Sequence, residues 1–199
     1  ITEEMIGDIR GMWPMASDND ASVKGQDLTN NNSVAFTSSG VRGTAADFVV
    51  GSSMSLTDTD HVDYTFTTAF STGLWFYRDV DSGGTEVTLG KYDGGGVGAN
   101  QTFRFDILGA TSDIVRFITN TSSNVSNNGP AVSVGQWYNV VGTYDGANQR
   151  IYINGALYDT DAQTGSMADA AVEDLTIGAG TNANTKELFF DGRIDEAFL

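Results

Sequence analysis

The sequence predicts an all-β fold, an antiparallel two-sheet sandwich or jelly roll with very little helix, and three observations carry that prediction. Short runs rich in aromatic and β-branched residues recur along the chain, as in Phe103-Arg104-Phe105-Asp106-Ile107 and Arg150-Ile151-Tyr152-Ile153, where successive side chains alternate between two faces. Turn dipeptides separate them: Asp93-Gly94, Asp145-Gly146, Asn154-Gly155 and Asp191-Gly192. Of the 26 carboxylates, 20 are Asp and 6 are Glu, and Asp belongs to turns and loop ends where Glu belongs to helices.

Residues 1–9 form a lead-in segment, with a short helix expected over Thr2–Ile9, ahead of a single domain over 10–199. Strands are expected at Gly11–Met15, Asp47–Val50, Thr65–Tyr77, Glu86–Tyr92 and Phe103–Leu108. They continue at Ile114–Thr119, Trp137–Tyr144, Arg150–Ile153, Ala156–Asp159, Asp174–Gly178 and Leu188–Leu199. Asn154-Gly155 is the strongest hairpin signal, because a type I′ turn needs positive φ at both central residues. Met167–Asp174 suits two helical turns. Asp79–Glu86, Gly94–Gln101 and Asn120–Pro130 are rich in Gly, Ser or Asn and read as irregular loops, the usual place for binding on a rigid sandwich. The chain opens without an initiator Met and stops bluntly at Leu199, the expected pattern either of a segment of a larger protein or of ends removed by processing.

Composition narrows the partners. With 199 residues, 40% of them apolar, the chain can fill a core despite its net charge of −16. That charge excludes a phosphate-backbone interface, since no cationic stripe exists to release counterions, and it disfavours an anionic membrane surface. No run is apolar enough to insert into a membrane. The absence of Cys removes disulfides, thiolate metal sites and a cysteine nucleophile. Sequons at Asn31, Asn100, Asn120 and Asn124 are uninformative, because roughly three are expected by chance in a chain this rich in Asn, Ser and Thr.

An ordered set of motifs adds a family resemblance. Gly135-Gln136-Trp137-Tyr138-Asn139-Val140-Val141-Gly142-Thr143-Tyr144-Asp145-Gly146, followed by Arg150-Ile151-Tyr152-Ile153-Asn154-Gly155, resembles the hairpin pair of laminin G-like domains in the concanavalin A-like lectin/glucanase superfamily. Leu175-Thr176-Ile177-Gly178 and Phe190-Asp191-Gly192-Arg193-Ile194-Asp195-Glu196 resemble the family's closing strands. Gly11–Met15, Asp27–Asn32, Ala46–Phe48 and Phe70–Tyr77 resemble its opening and central ones. Val49 departs from the family's frequent Asp-Gly after the Phe strand. The resemblance implies a jelly roll of two packed sheets, a non-catalytic module that binds glycans or proteins, and often a structural Ca²⁺.

An enzyme is not expected. Glycosidases on this sandwich share an E-x-D-x-x-E strand that places carboxylates on one face, and none of Glu3, Glu4, Glu86, Glu173, Glu187 and Glu196 heads such a pattern. His61, within the acidic run Thr57–Asp63, reads as a solvated loop residue. Asp79-Val80-Asp81 starts like a calcium loop, but the twelfth position is Gly90, which excludes an EF-hand. Asp58, Asp60 and Asp63 read as a solvated acidic turn. The resemblance carries the Ca²⁺ over to Asp195 with Asp27. Trp13, Trp75 and Trp137 lie in strand motifs and are expected in the core. Ligand contact is expected from Tyr77, Arg78, Lys91 and Tyr92, which flank the longest loops. The functional expectation is a recognition or adhesion module outside the cell, on a cell surface or on a virion, binding glycan or a surface protein. The alternative is a structural or decoration module of a virion or filament that acts through protein contacts.

Overall fold

A computed structural model describes residues 9–19, 25–37, 39–49, 51–59, 64, 66, 68–92, 101–109, 112–168, 173–183 and 185–199. Among them no α-helix occurs and strands dominate. In chain order these are β1 (Met12–Trp13), β2 (Thr29–Asn31), β3 (Ala35–Thr37), β4 (Ala45–Phe48), β5 (Ser55–Asp58), β6 (Phe70–Arg78), β7 (Thr85–Tyr92), β8 (Gln101–Leu108), β9 (Ile114–Asn120), β10 (Asn124–Ala131), β11 (Trp137–Tyr144), β12 (Asn148–Ile153), β13 (Ala156–Ala162), β14 (Leu175–Ile177), β15 (Gly180–Asn182), β16 (Thr185–Glu187) and β17 (Gly192–Phe198).

Two large antiparallel sheets hold nearly all of them. One has eight strands in the order β13-β12-β11-β6-β17-β4-β3, with β1 also paired to β17; the other has seven, β10-β9-β8-β7-β14-β5-β2. Period-2 alternation explains how they pack. In β6, Phe70, Leu74 and Phe76 are buried; in β8, Phe103, Phe105 and Ile107; in β9, Val115 and Phe117. Phe70 meets Phe103 and Phe117 across the sheets at centroid distances of 5.4 and 6.2 Å. Each fully buried ring of this kind contributes on the order of 1.5–3 kcal/mol of burial free energy. Trp13 closes one side of the core, fully buried, its indole N–H donating to the Gln26 carbonyl at 2.8 Å.

The Asn154-Gly155 turn is a two-residue loop between Ile153 and Ala156, with φ of 50° and 81°. Asn120–Pro130 departs from the loop expected of it, because Asn124–Ala131 is a strand. It pairs only with β9 at the sheet's edge, where Pro130 need not donate to a second neighbour and the register shifts between Asn128 and Ala131. The expected helix at Met167–Asp174 is irregular at Met167–Ala168 and at Glu173–Asp174, and its centre lies outside the described residues. The expected helix over Thr2–Ile9 lies outside them too, apart from irregular Ile9, as do the Asp93-Gly94 turn and most of Gly94–Gln101.

Candidate functional site

The outward face of the eight-stranded sheet carries a row of partly exposed side chains contributed by four adjacent strands. Strand β11 alternates half-buried and buried along its whole length, so that Tyr138, Val140 and Tyr144 face the core while Trp137, Asn139, Val141 and Thr143 face outward. In β6 the outward positions include Trp75 and Tyr77. Register then aligns Trp137 with Tyr77, Tyr77 with Arg193, and Arg193 with Asp47.

Contacts within this row are specific. The Trp137 and Tyr77 rings lie 5.6 Å apart at 59°. The Arg193 guanidinium carbon stands 3.8 Å from the Tyr77 ring centre and 6.0 Å from that of Trp137. Arg193 Nη2 donates to Asp79 Oδ1 at 3.0 Å. A guanidinium held over a ring and fixed by a carboxylate is a pre-positioned donor fork. Burial pushes the Asp47 carboxyl above its ordinary range, the negative charge of Asp79 pushes it further, and Arg193 pulls it back. Gly192 makes the alignment possible: at φ 148° its backbone lies so close to β6 that a Cβ would fall 2.1 Å from the Tyr77 carbonyl oxygen.

Beneath one end of the row lies a buried cation. Arg78 is 1% exposed and binds Glu86, Asp81 and Asp113, each at 2.7 Å. The Gly135 N–H donates to the Arg78 carbonyl, and the Asp79 N–H to the Asp191 carbonyl, so the loops that border the row are tied to the strand that carries it.

The residues expected to contact a ligand thus separate. Tyr77 is in the outward row. Arg78 is buried with its guanidinium taken up by three carboxylates, and Lys91 and Tyr92 are buried as well. The physical reason is that β6 and β7 run to the ends of the segments in which these residues lie, so Arg78, Lys91 and Tyr92 are strand residues and not loop residues. Tyr92 lies on the seven-stranded sheet under Arg104, whose guanidinium carbon is 4.4 Å from the ring centre. There Arg104 and Arg116 converge on buried Asp106 at 2.9 and 2.7 Å. Central strands of that sheet bury their polar residues Thr88, Asp106 and Thr176, which leaves less to offer a ligand than the eight-stranded sheet does.

The row contains residues that the sequence reading did not select: Arg193, Asp47, Asp79 and above all Trp137, which was expected in the core along with Trp75. Both tryptophans are half-buried on the outward face. The parity of β11 held the signal, since Asn139 and Thr143 share the face of Trp137.

Of the residues expected to hold calcium, Asp27 is exposed and Asp195 is fully buried. Asp195 accepts from the backbone N–H groups of Arg42 at 3.0 Å and Glu196 at 2.9 Å, with Val41 adding a third; burial raises its pKa and these bonds lower it. A carboxylate facing amide donors that cap the turn at 40–43 does not fit a cation site, and among the described residues no group of three or more His, Cys, Asp or Glu is arranged to hold a metal ion. Asp58 accepts from the Tyr64 hydroxyl at 2.5 Å, whereas Asp60, His61 and Asp63 lie outside the described residues. A hollow at the other end of the sheet, lined by Phe66, Phe70, Ser71, Thr143, Tyr144 and Phe198, is mainly apolar.

Comparison with known proteins places this geometry in context. A laminin G-type family model, that of the concanavalin A-like lectin/glucanases superfamily, matches residues 49–198. No curated protein matches the chain. Domain 4 of AbnA, a GH43 extracellular arabinanase from Geobacillus stearothermophilus solved in complex with arabinotriose, superposes with a TM-score of 0.70 at 16% identity, over 96% of this chain and 90% of that one. The binding domain of Paraclostridial Mosquitocidal Protein 1 superposes at 0.74 with 13% identity, over 98% of this chain and 49% of that one. A botulinum neurotoxin type C structure, whose study ties cell entry to two ganglioside molecules, superposes at 0.60 with 14% identity, over 98% and 48%. This chain therefore spans about half of those toxin chains, and at such identities the likeness is one of fold. The match across most of the chain, on a sandwich whose closing strand β17 supplies Arg193 to the row, shows that the chain belongs to the concanavalin A-like lectin/glucanases superfamily.

Proposed function

We propose that the chain is a non-catalytic glycan-binding module, working outside a cell or on a particle surface, and that it binds through the row of Trp137, Arg193, Asp47 and Asp79. The observation that carries this reading is the Arg193 guanidinium set over Tyr77 beside the Trp137 ring on an exposed sheet face. A sugar ring offers an apolar face and a rim of hydroxyls. Trp137 suits the face, Arg193 donates to the rim, and Asp47 and Asp79 accept from it. Tyr77 acts as a positioning residue that holds Arg193. The fold neighbours support the reading, since one is a domain solved with arabinotriose and another concerns gangliosides.

The test is a glycan array followed by titration calorimetry on the best binder. Trp137→Ala should lower affinity about tenfold or more, as loss of one stacking anchor does, while the fold, monitored by circular dichroism, persists because Trp137 lies outside the core. Failure of the intact chain to bind any glycan on a broad panel, or unchanged affinity in the variant, would overturn the proposal.

A further inference from the structure

We infer that the row on the eight-stranded sheet selects neutral glycans and rejects those carrying a carboxylate or sulfate; this rests on the glycan-binding reading above. The charges that face an incoming ligand decide it. Arg193 is the cation of the row, and it is already bound to Asp79 at 3.0 Å and aligned with Asp47 on the next strand. Asp195 lies two residues along β17, fully buried, beside the turn that carries exposed Arg42. Asp191 precedes β17, its carbonyl bonded to the Asp79 N–H. At the surface Arg193 and Arg42 stand beside the carboxylates of Asp47 and Asp79, while Asp191 and Asp195 lie buried beneath them, so the row offers an anion no surplus of positive charge. Past the end of β6 the charge stays negative, with Arg78 enclosed by Glu86, Asp81 and Asp113.

An anionic sugar would need to displace Asp79 from Arg193 and then sit beside Asp47 on a chain of net charge −16. Opposite charges at this spacing are worth having only when the cation is free, and like charges at contact distance cost far more than a neutral hydroxyl does. A neutral glycan meets no such penalty. Its hydroxyls donate to Asp47 and to the free oxygen of Asp79, and its ring oxygens accept from the guanidinium edges that Asp79 leaves open. The raised carboxyl of Asp47 points the same way, since its desolvated environment already disfavours added negative charge.

Binding to matched pairs tests this: oligogalacturonate against its methyl ester, sialyllactose against lactose, and glucuronoxylan against xylan oligosaccharides, all at low and at high salt. The neutral member of whichever pair binds should be favoured about tenfold or more at low salt, and the gap should narrow as salt screens the row. Asp47→Asn removes the charge and keeps one amide oxygen as acceptor, so it should weaken neutral binding several-fold, through the weaker acceptor, while shrinking the discrimination to within about threefold. Equal or tighter binding of the acidic member would overturn the selectivity and leave the glycan-binding reading standing. Discrimination unchanged by Asp47→Asn and insensitive to salt would also overturn it, because the rejection would then be steric. Absence of binding to every member of every pair and to the wider panel would overturn both.

Discussion

Arg78 at the end of β6 and Glu86 at the start of β7 join the two sheets as an ion pair of 2.7 Å in which both side chains are only 1% exposed. The other two carboxylates on Arg78 differ in kind, since Asp81 and Asp113 are 47% and 36% exposed and return to water at little cost. Arg78→Met should therefore destabilise the protein by about 3–5 kcal/mol, nearly all of it from stranding Glu86 as a buried unpaired charge. Adding Glu86→Leu should recover most of that loss. Urea denaturation of the two variants checks the expectation, and a single variant as stable as the parent would contradict it.

Gly142 sits on the core side of β11 directly against Phe117, where a Cβ would fall 2.6 Å from three atoms of the ring. The ring belongs to the opposite sheet, so the glycine sets how closely the two sheets approach. Gly142→Ala should cost about 1–3 kcal/mol by overpacking. Gly84→Ala is the comparison, because nothing lies within 3.9 Å of the added carbon there and the expected change is within about 0.5 kcal/mol. Thermal melts that rank the two variants equally would refute this account of the sheet spacing.

The acid limb of stability should carry the signature of Asp145. Its carboxyl is lowered from 3.8 to about 2 by Arg150 above all, then by the backbone N–H groups of Asn148 and Ala147. A folded-state pKa below the unfolded one gives stability that is complete above the ordinary value and is lost as pH falls toward about 2. Asp145→Asn should flatten the stability profile in that window. Glu86 works in the opposite sense: burial raises it above 4.5, against Ser82 and Arg78, so its share of stability falls as pH rises through the raised value. Glu86→Gln should remove that decline, as denaturant midpoints measured from pH 2 to 7 would register.

Where local chemistry is sufficient, the sequence was readable. Asn154-Gly155 specifies a two-residue turn by its backbone alone, and the alternation of β8 and β11 follows from side-chain type. Strand β10 escaped because Asn124-Val125-Ser126-Asn127-Asn128-Gly129-Pro130-Ala131 has neither apolar alternation nor β propensity; only pairing with β9 at an edge makes it a strand. Two of its donors reach another element, Asn127 donating to Asp161 and the Asn128 N–H to Asp159. Trp137 departs from the expected core position because the parity of its strand, shared with Asn139 and Thr143, outweighs the size of its indole. Arg78 could not be assigned from sequence at all, since its burial depends on Asp81, Glu86 and Asp113 arriving together from a turn, a strand and a more distant loop.

The strand order β11-β6-β17-β4 has a consequence for any partially formed state of the chain. Asp47, Tyr77, Trp137 and Arg193 come from segments spread over most of the sequence, and no two of their strands, β4, β6, β11 and β17, are consecutive in the chain. The platform thus comes into being only when the last strand, β17, slots between β4 and β6. A bound sugar would report completion of folding, and its presence should slow global unfolding more than local fraying of an edge such as β10.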